Sequence, residues 1–160
     1  MIIVLMGVTG AGKTTVGQAL AGVLHWQFAD ADDFHSAANV AKMSAGIPLT
    51  DDDRRPWLDA LQEAIRHWLA AGESVVLACS ALKEAYRRPL LVAPEVKLVY
   101  LRVSREQVVR RLAARRHHYM NPTLIDSQFA TLEEPSSAVT IDVNEPTQRI
   151  VDKIRHALTI

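Results

Sequence analysis

Four shortages bound this 160-residue chain before any motif is considered. It has one cysteine, Cys79, so an intrachain disulfide framework is excluded; a reducing compartment is consistent with that. It has no excess charge, with 18 Lys+Arg against 18 Asp+Glu, which argues against a disordered chain and a general nucleic-acid binder. No apolar run approaches the roughly 18 residues of a membrane span. The apolar start MIIVLMG is too short for a secretory core and lacks a basic flank and cleavage site, so a soluble cytoplasmic protein is expected. Glycine is scarce as well: there are 7, none after Gly72, yet Gly7, Gly10 and Gly12 crowd into six positions.

What is present fits one domain spanning residues 1–160, with 49% hydrophobic content, enough to bury a core. No repeat or linker-like stretch divides it. The neutral total hides a tilt: residues 1–80 carry five Lys/Arg against nine Asp/Glu, and residues 81–160 carry thirteen against nine.

Apolar runs at 2–6, 74–79 and 98–101, with weaker ones at 26–29 and 139–143, read as strands buried on two faces. Helical spacing follows Lys13, runs from Thr50 to Gly72 with Asp51, Asp52 and Asp53 in the first turn, and recurs after Ser104 and Ile150. Residues 35–45 read as a short helix, and 117–135 as a loop or lid without sustained periodicity. Alternating strands and helices predict an α/β fold around a parallel sheet, with helices on both faces.

Gly7-Val8-Thr9-Gly10-Ala11-Gly12-Lys13-Thr14 matches G-x-x-x-x-G-K-[ST] in the required place, after a buried strand and opening a helix; Thr15 follows. Such a P-loop points backbone N–H groups and a helix N-terminus at phosphates. Lys13 is expected at the β- and γ-phosphates of ATP, and the Thr14 hydroxyl on Mg²⁺. The chain lacks the Asn-Lys-x-Asp and Asp-x-x-Gly motifs of a GTPase. No Walker-B acid ends the runs at Cys79 or Leu101, where Ser80 and Arg102 follow. The acids come after the second strand instead, as Asp30-Ala31-Asp32-Asp33. A small-molecule kinase needs a carboxylate there to orient or deprotonate the acceptor hydroxyl, and a neighbour to hold Mg²⁺ waters. An acidic turn without chemistry is the bland alternative.

The chain resembles the gluconate kinase family (gluconokinase, thermoresistant type) over nearly its whole length. The resemblance rests on MGVTGAGKTT at 6–15, DADDFH at 30–35, NVAKMSAGIPLTDDDRRPW at 39–57, CSALK at 79–83 and SQFATLEEP at 127–135. It implies ATP-dependent phosphorylation of D-gluconate at the 6-hydroxyl. It also implies a P-loop, nucleoside-monophosphate-kinase-like three-layer fold with strand order 2-3-1-4-5, a lid over roughly residues 116–135, and a homodimer.

On that resemblance Asp32 meets the reacting hydroxyl and Asp30 the Mg²⁺ shell, though the two can exchange roles. His35 serves a gluconate hydroxyl, or merely starts a helix. Arg54 and Lys83 serve the carboxylate, or Arg54 only pairs with Asp51 or Asp52. Ser80 lies at the ligand-binding edge, or caps the next helix. Cys79 packs rather than reacts.

Between 102 and 116 stand Arg102, Arg105, Arg110, Arg111, Arg115 and Arg116, with Glu106 the only acid, an excess expected to face polyphosphate. Arg115 matches the family's lid arginine and is expected to stabilise the transferring phosphoryl group, with Arg111 assisting at the nucleotide. Gln128 is expected to help the lid close over substrate. The loop at 142–146 is expected near adenine. The chain departs from the family at His117 and Tyr119, which replace a glycine and a phenylalanine, and at Ser36 and Ala37, which often are prolines. Two other readings remain at this stage: a kinase of the same fold acting on shikimate or another hydroxy acid, and a nucleotide-binding module without turnover.

Overall fold

The computed structural model describes residues 1–114 and 122–160. Its centre is β1 (Ile2–Met6), whose five residues are all buried. Both neighbours of β1 run parallel to it, β3 (Val75–Ala78) on one side and β4 (Val96–Arg102) on the other. β2 (Gln27–Asp30) extends the sheet beyond β3, and β5 (Val139–Asp142) beyond β4. The order is therefore 2-3-1-4-5, as the resemblance implied.

Successive strand residues point to opposite faces, so each strand feeds two cores. Ile3, Leu5, Val76, Val99 and Leu101 pack under α1 (Lys13–Leu24), α5 (Arg105–Ala113) and α7 (Thr147–Leu158). Ile2, Val4, Met6, Val75 and Leu77 pack under Trp57, Leu61 and Ile65 of α3 (Asp51–Ala70). The expected helices on both faces are thus present. Among the described residues, no helix is long and apolar enough to cross a membrane.

Local chemistry sets the boundaries. Thr50 and Asp53 form a reciprocal capping box at the start of α3, and Ser104 and Gln107 do the same for α5. Ser36, standing where the family often has proline, caps α2 (Ala37–Ser44) by accepting the Asn39 N–H at 3.2 Å. The short helix read over 35–45 is this one, and a 3₁₀ turn at Ala31–Phe34, capped by the Asp30 carboxylate, precedes it. The stretch read without periodicity contains α6 (Pro122–Thr131), whose only buried residue is Ile125. One buried side chain gives no repeat to read.

The helix expected after β3 is the short α4 (Glu84–Arg87), and its cap position is Lys83 rather than Ser80. It carries Arg87, only 2% exposed. Its guanidinium donates to the Ala81 and Leu82 carbonyls at 2.9 and 3.1 Å and to Glu84 at 3.2 Å. Ala81 has φ +45°, a conformation an alanine adopts only under constraint, and Arg87 is that constraint. Cys79, just before it, is fully enclosed, and burial pushes its thiol up to about 12.

Arg87→Met is expected to cost about 2–4 kcal/mol, since it strands two carbonyls in the buried Ala81–Leu82 segment; a urea-unfolding midpoint unchanged from wild type would refute this. Cys79 is expected to resist iodoacetamide at pH 8 in the native protein, where less than about one thiol in a thousand is ionised, and to alkylate readily after unfolding. Mass spectrometry of the two samples reads the difference.

Candidate active site

The carboxyl ends of β1, β2 and β3 are adjacent in the sheet, so the loops leaving them meet. Between them lies a cavity of about 480 Å³ lined by Thr9, Gly10, Gly12, Lys13, Thr14, Thr15, Asp30, Asp32, Ala78, Cys79 and Ser80. This is the carboxyl-edge location where open α/β sheets hold ligands.

The P-loop leaves β1 at Gly7, where a β-carbon would stand 2.8 Å from the Leu101 carbonyl oxygen. Gly12 caps α1 at φ +93°, which favours glycine. Lys13 folds over the loop and donates to the Gly7 and Val8 carbonyls at 2.9 and 3.0 Å. Burial pulls its ammonium below the ordinary range, while Cys79, Asp32 and Asp30 oppose that. Phosphate oxygens are stronger acceptors than these carbonyls, so the arrangement suits an exchange of partners.

Across the cavity, Asp30 uses both carboxylate oxygens. Oδ1 accepts the Asp32 N–H at 2.9 Å, and Oδ2 lies 3.4 Å from the Thr14 hydroxyl. Asp32 is held by that turn with its carboxyl still open to solvent. The surrounding chain pushes its pKa upward and Asp30 adds to the push; His35 and Lys13 act against them. An elevated carboxyl beside a second carboxylate is what a proton acceptor requires.

Beyond Asp32, His35 stacks flat on Trp57, ring centroids 4.5 Å apart and planes 9° apart. Buried Asn39 donates to the Asp53 carbonyl at 2.9 Å and contacts His35 Nδ1 at 3.3 Å. With the Asn39 amide as donor, Nδ1 accepts and Nε2 carries the proton in the neutral ring. Burial lowers the His35 pKa; Asp32 works against this and Arg54 with it. The same imidazole thus feels the acid turn on one side and Arg54 on the other. Trp57 also anchors the acid turn, its indole N–H donating to the Ala31 carbonyl at 2.7 Å.

Arg54 does pair with Asp51, at 3.1 Å, as the plainer reading held. It also lies 3.2 Å from the Tyr86 hydroxyl, and Lys83 stands over the same Tyr86 ring. Arg54 and Lys83 therefore converge from α3 and the β3 loop. Asn39, Trp57 and Tyr86 were missed in the sequence. The first two sit inside the 39–57 block, but nothing local marks a helical Asn or Trp as a support for His35.

The basic helix differs from expectation. Arg102 is engaged bidentately by Asp142 at 2.6 and 3.0 Å, and Arg105 by Asp126 at 2.5 Å. Both acids come from distant sequence, so a local count could not reveal the pairing. Arg111 donates to the Gly10 and Ala11 carbonyls at 3.1 and 3.3 Å and to the Val143 carbonyl, tying the P-loop to the 142–146 loop. Gln128 reaches the P-loop, accepting the Thr9 N–H at 3.1 Å, instead of the His35–Arg54 side. Arg115, His117 and Tyr119 lie outside the described residues. A second cavity, also about 480 Å³, opens at the β4–β5 edge; there Arg102 pairs with Asp142 and Tyr100 with Glu134, away from the P-loop.

A family model described as an AAA domain matches residues 2–135. A "Probable gluconokinase" of Xenopus tropicalis is 46% identical, over 96% of this chain and 91% of its own. The crystal structure of a gluconokinase from Sinorhizobium meliloti 1021 superposes with a TM-score of 0.88 at 42% identity, covering 98% of this chain and 90% of that one. A shikimate kinase from Bacteroides thetaiotaomicron, at TM-score 0.73 and 21% identity, shares the fold. With a P-loop, a paired-acid turn and relatives of that similarity along almost its full length, the chain belongs to the gluconokinase family.

Proposed function

We propose that the protein transfers the γ-phosphoryl group of ATP to the 6-hydroxyl of D-gluconate, giving 6-phosphogluconate and ADP. The observation that carries this is a succession of neighbouring groups. The P-loop cavity holds Lys13, Asp30 and Asp32, His35 feels both Asp32 and Arg54, and Arg54 and Lys83 both lie on the Tyr86 ring. A short acyclic hydroxy acid has a hydroxyl to phosphorylate at one end and an anion to anchor at the other, which suits such a succession.

The P-loop residues Gly7 to Thr15 would hold the phosphates through backbone N–H groups, with Lys13 leaving its carbonyl partners for phosphate oxygens. Thr14 Oγ1 and Asp30 Oδ2, 3.4 Å apart, are hard oxygen donors of the kind Mg²⁺ takes. Thr14 would hold the ion directly and Asp30 through water. When bound, the ion supplies positive charge against the phosphates. Asp32 would accept the proton of the 6-hydroxyl as its oxygen bonds to the γ-phosphorus and the bond to the β-phosphate oxygen breaks, with ADP as the leaving group. His35 Nε2–H would donate to a substrate hydroxyl, and Ser80 would border the same pocket. Arg54 and Lys83 would take the carboxylate. Arg115 keeps the role of a phosphoryl-stabilising arginine, with Arg111 at the nucleotide; Gln128 would act through Thr9. The family resemblance extends the proposal to one lidded domain acting as a cytoplasmic homodimer, which sedimentation and cell fractionation test.

A coupled ADP-release assay across gluconate, shikimate and related acids tests the reaction. Gluconate-dependent release is expected, and activity with shikimate alone would reject the proposal. Lys13→Met is expected to lower kcat by about 10²–10³-fold or more. Asp32→Asn is expected to lower kcat by about 10²–10⁴-fold while ATP affinity, measured by calorimetry, stays near wild type. A fall in ATP affinity at constant kcat would instead make Asp32 a nucleotide-site residue.

A further inference from the structure

Tyr86, on α4, has no part in the transfer just described, yet three charged groups meet on it. Its hydroxyl donates to Asp51 Oδ1 at 2.7 Å. The Tyr86 hydroxyl oxygen in turn accepts from Arg54 Nη1 at 3.2 Å. Its ring carries the Arg54 guanidinium 5.2 Å from the centroid and the Lys83 ammonium at 5.8 Å.

Arg54 and Lys83 carry like charge and share one ring, so the ring must offset their mutual repulsion. An aromatic ring attracts both electrostatically through its negative face. The hydroxyl adds direction, fixing the guanidinium through its lone pair and drawing in Asp51 to offset the charge. Asp51 is well exposed, 71% at the side chain, so its hold on Arg54 is weak and readily exchanged for another carboxylate. Tyr86 is half-buried and its α4 is anchored by Arg87, which makes it the fixed member of the group.

We infer that Tyr86 is a positioning residue for acid selectivity: by holding Arg54 and Lys83 together it makes the site prefer a polyhydroxy carboxylate to its uncharged counterpart. This rests on the proposed gluconate reaction and adds to it the group that orders the anion-binding end. Tyr86 itself touches no reacting atom. Its loss is therefore expected in substrate KM, with the chemical step intact.

The experiment compares D-gluconate with D-gluconamide, which has the same hydroxyl chain and no charge, in wild type and Tyr86→Phe. The phenylalanine keeps the ring and removes the hydroxyl. Wild type is expected to favour gluconate strongly. Tyr86→Phe is expected to raise the gluconate KM about tenfold, the loss of a hydrogen bond to a charged group, with kcat and the ATP KM within about twofold. The gluconamide KM should not move, so the acid-to-amide preference collapses. A general folding defect would depress both substrates equally, and that outcome, a loss confined to kcat, or an unchanged preference each overturns the role. In an Arg54→Ala background the Tyr86→Phe effect should shrink to less than about threefold, because the two act as one unit; full additivity also overturns it. The wild-type arm separates the two ideas. Absence of gluconate turnover there rejects the proposed reaction and this role with it, whereas normal gluconate turnover with an unaltered Tyr86→Phe variant rejects Tyr86 alone.

Discussion

The parallel pairing of β1 with β3 and β4 is the constraint on which the rest depends. All five β1 residues are buried and feed both cores, so the strand has no freedom to shift in register without moving its apolar set to the wrong face. Parallel strands end on the same edge. With β2 beside β3 and β3 beside β1, the P-loop, the acid turn and the Ser80–Lys83 loop emerge together. The convergence of phosphate cradle, carboxylates and cations follows from strand order before any side-chain contact is made.

Side-chain ties then bring those loops to working geometry. The Trp57 indole holds the acid turn to α3, Arg87 holds Ala81 at positive φ, and Arg111 links the P-loop to the loop after β5. Most of these partners are backbone carbonyls. A carbonyl belongs to the fold whatever the side chain there, so such ties position a loop without adding charge to the cavity. Among the described residues, the charged groups lining the cavity are Lys13, Asp30 and Asp32, and the proposed phosphoryl transfer uses all three. The same economy holds farther out, where Tyr86 combines a ring for two cations with a hydroxyl for one of them.

The legible part of the chain was the part whose chemistry is local. The P-loop is a contiguous motif next to a continuous apolar strand, and the helix starts at Thr50 and Ser104 are marked by residues within one turn. Their positions therefore agree with the structure to within a residue or so. The Asp30–Asp33 turn was readable for the same reason, since Asp30 caps the turn that presents Asp32. Elements held by tertiary contact were harder. α6 buries one residue of its own, and α4 is four residues long around a single buried arginine. Neither produces a period. The basic stretch from Arg102 misled because Asp126 and Asp142 lie 21 and 40 residues from their partners Arg105 and Arg102.

The sequence by itself determined the class of chemistry: a phosphate cradle, an acid turn where a kinase needs one, an α/β alternation and family blocks spread along the chain. Each is carried by residues adjacent in sequence or by backbone propensity, which act over a few residues. Tertiary structure alone decided who faces whom. It sent Gln128 to Thr9, matched Arg102 and Arg105 with remote acids, laid His35 on Trp57, and gathered Arg54, Lys83 and Asp51 on Tyr86. Those pairings are side-chain contacts between elements far apart in the chain, and their geometry exists only once the sheet has set the distance between the elements that carry them.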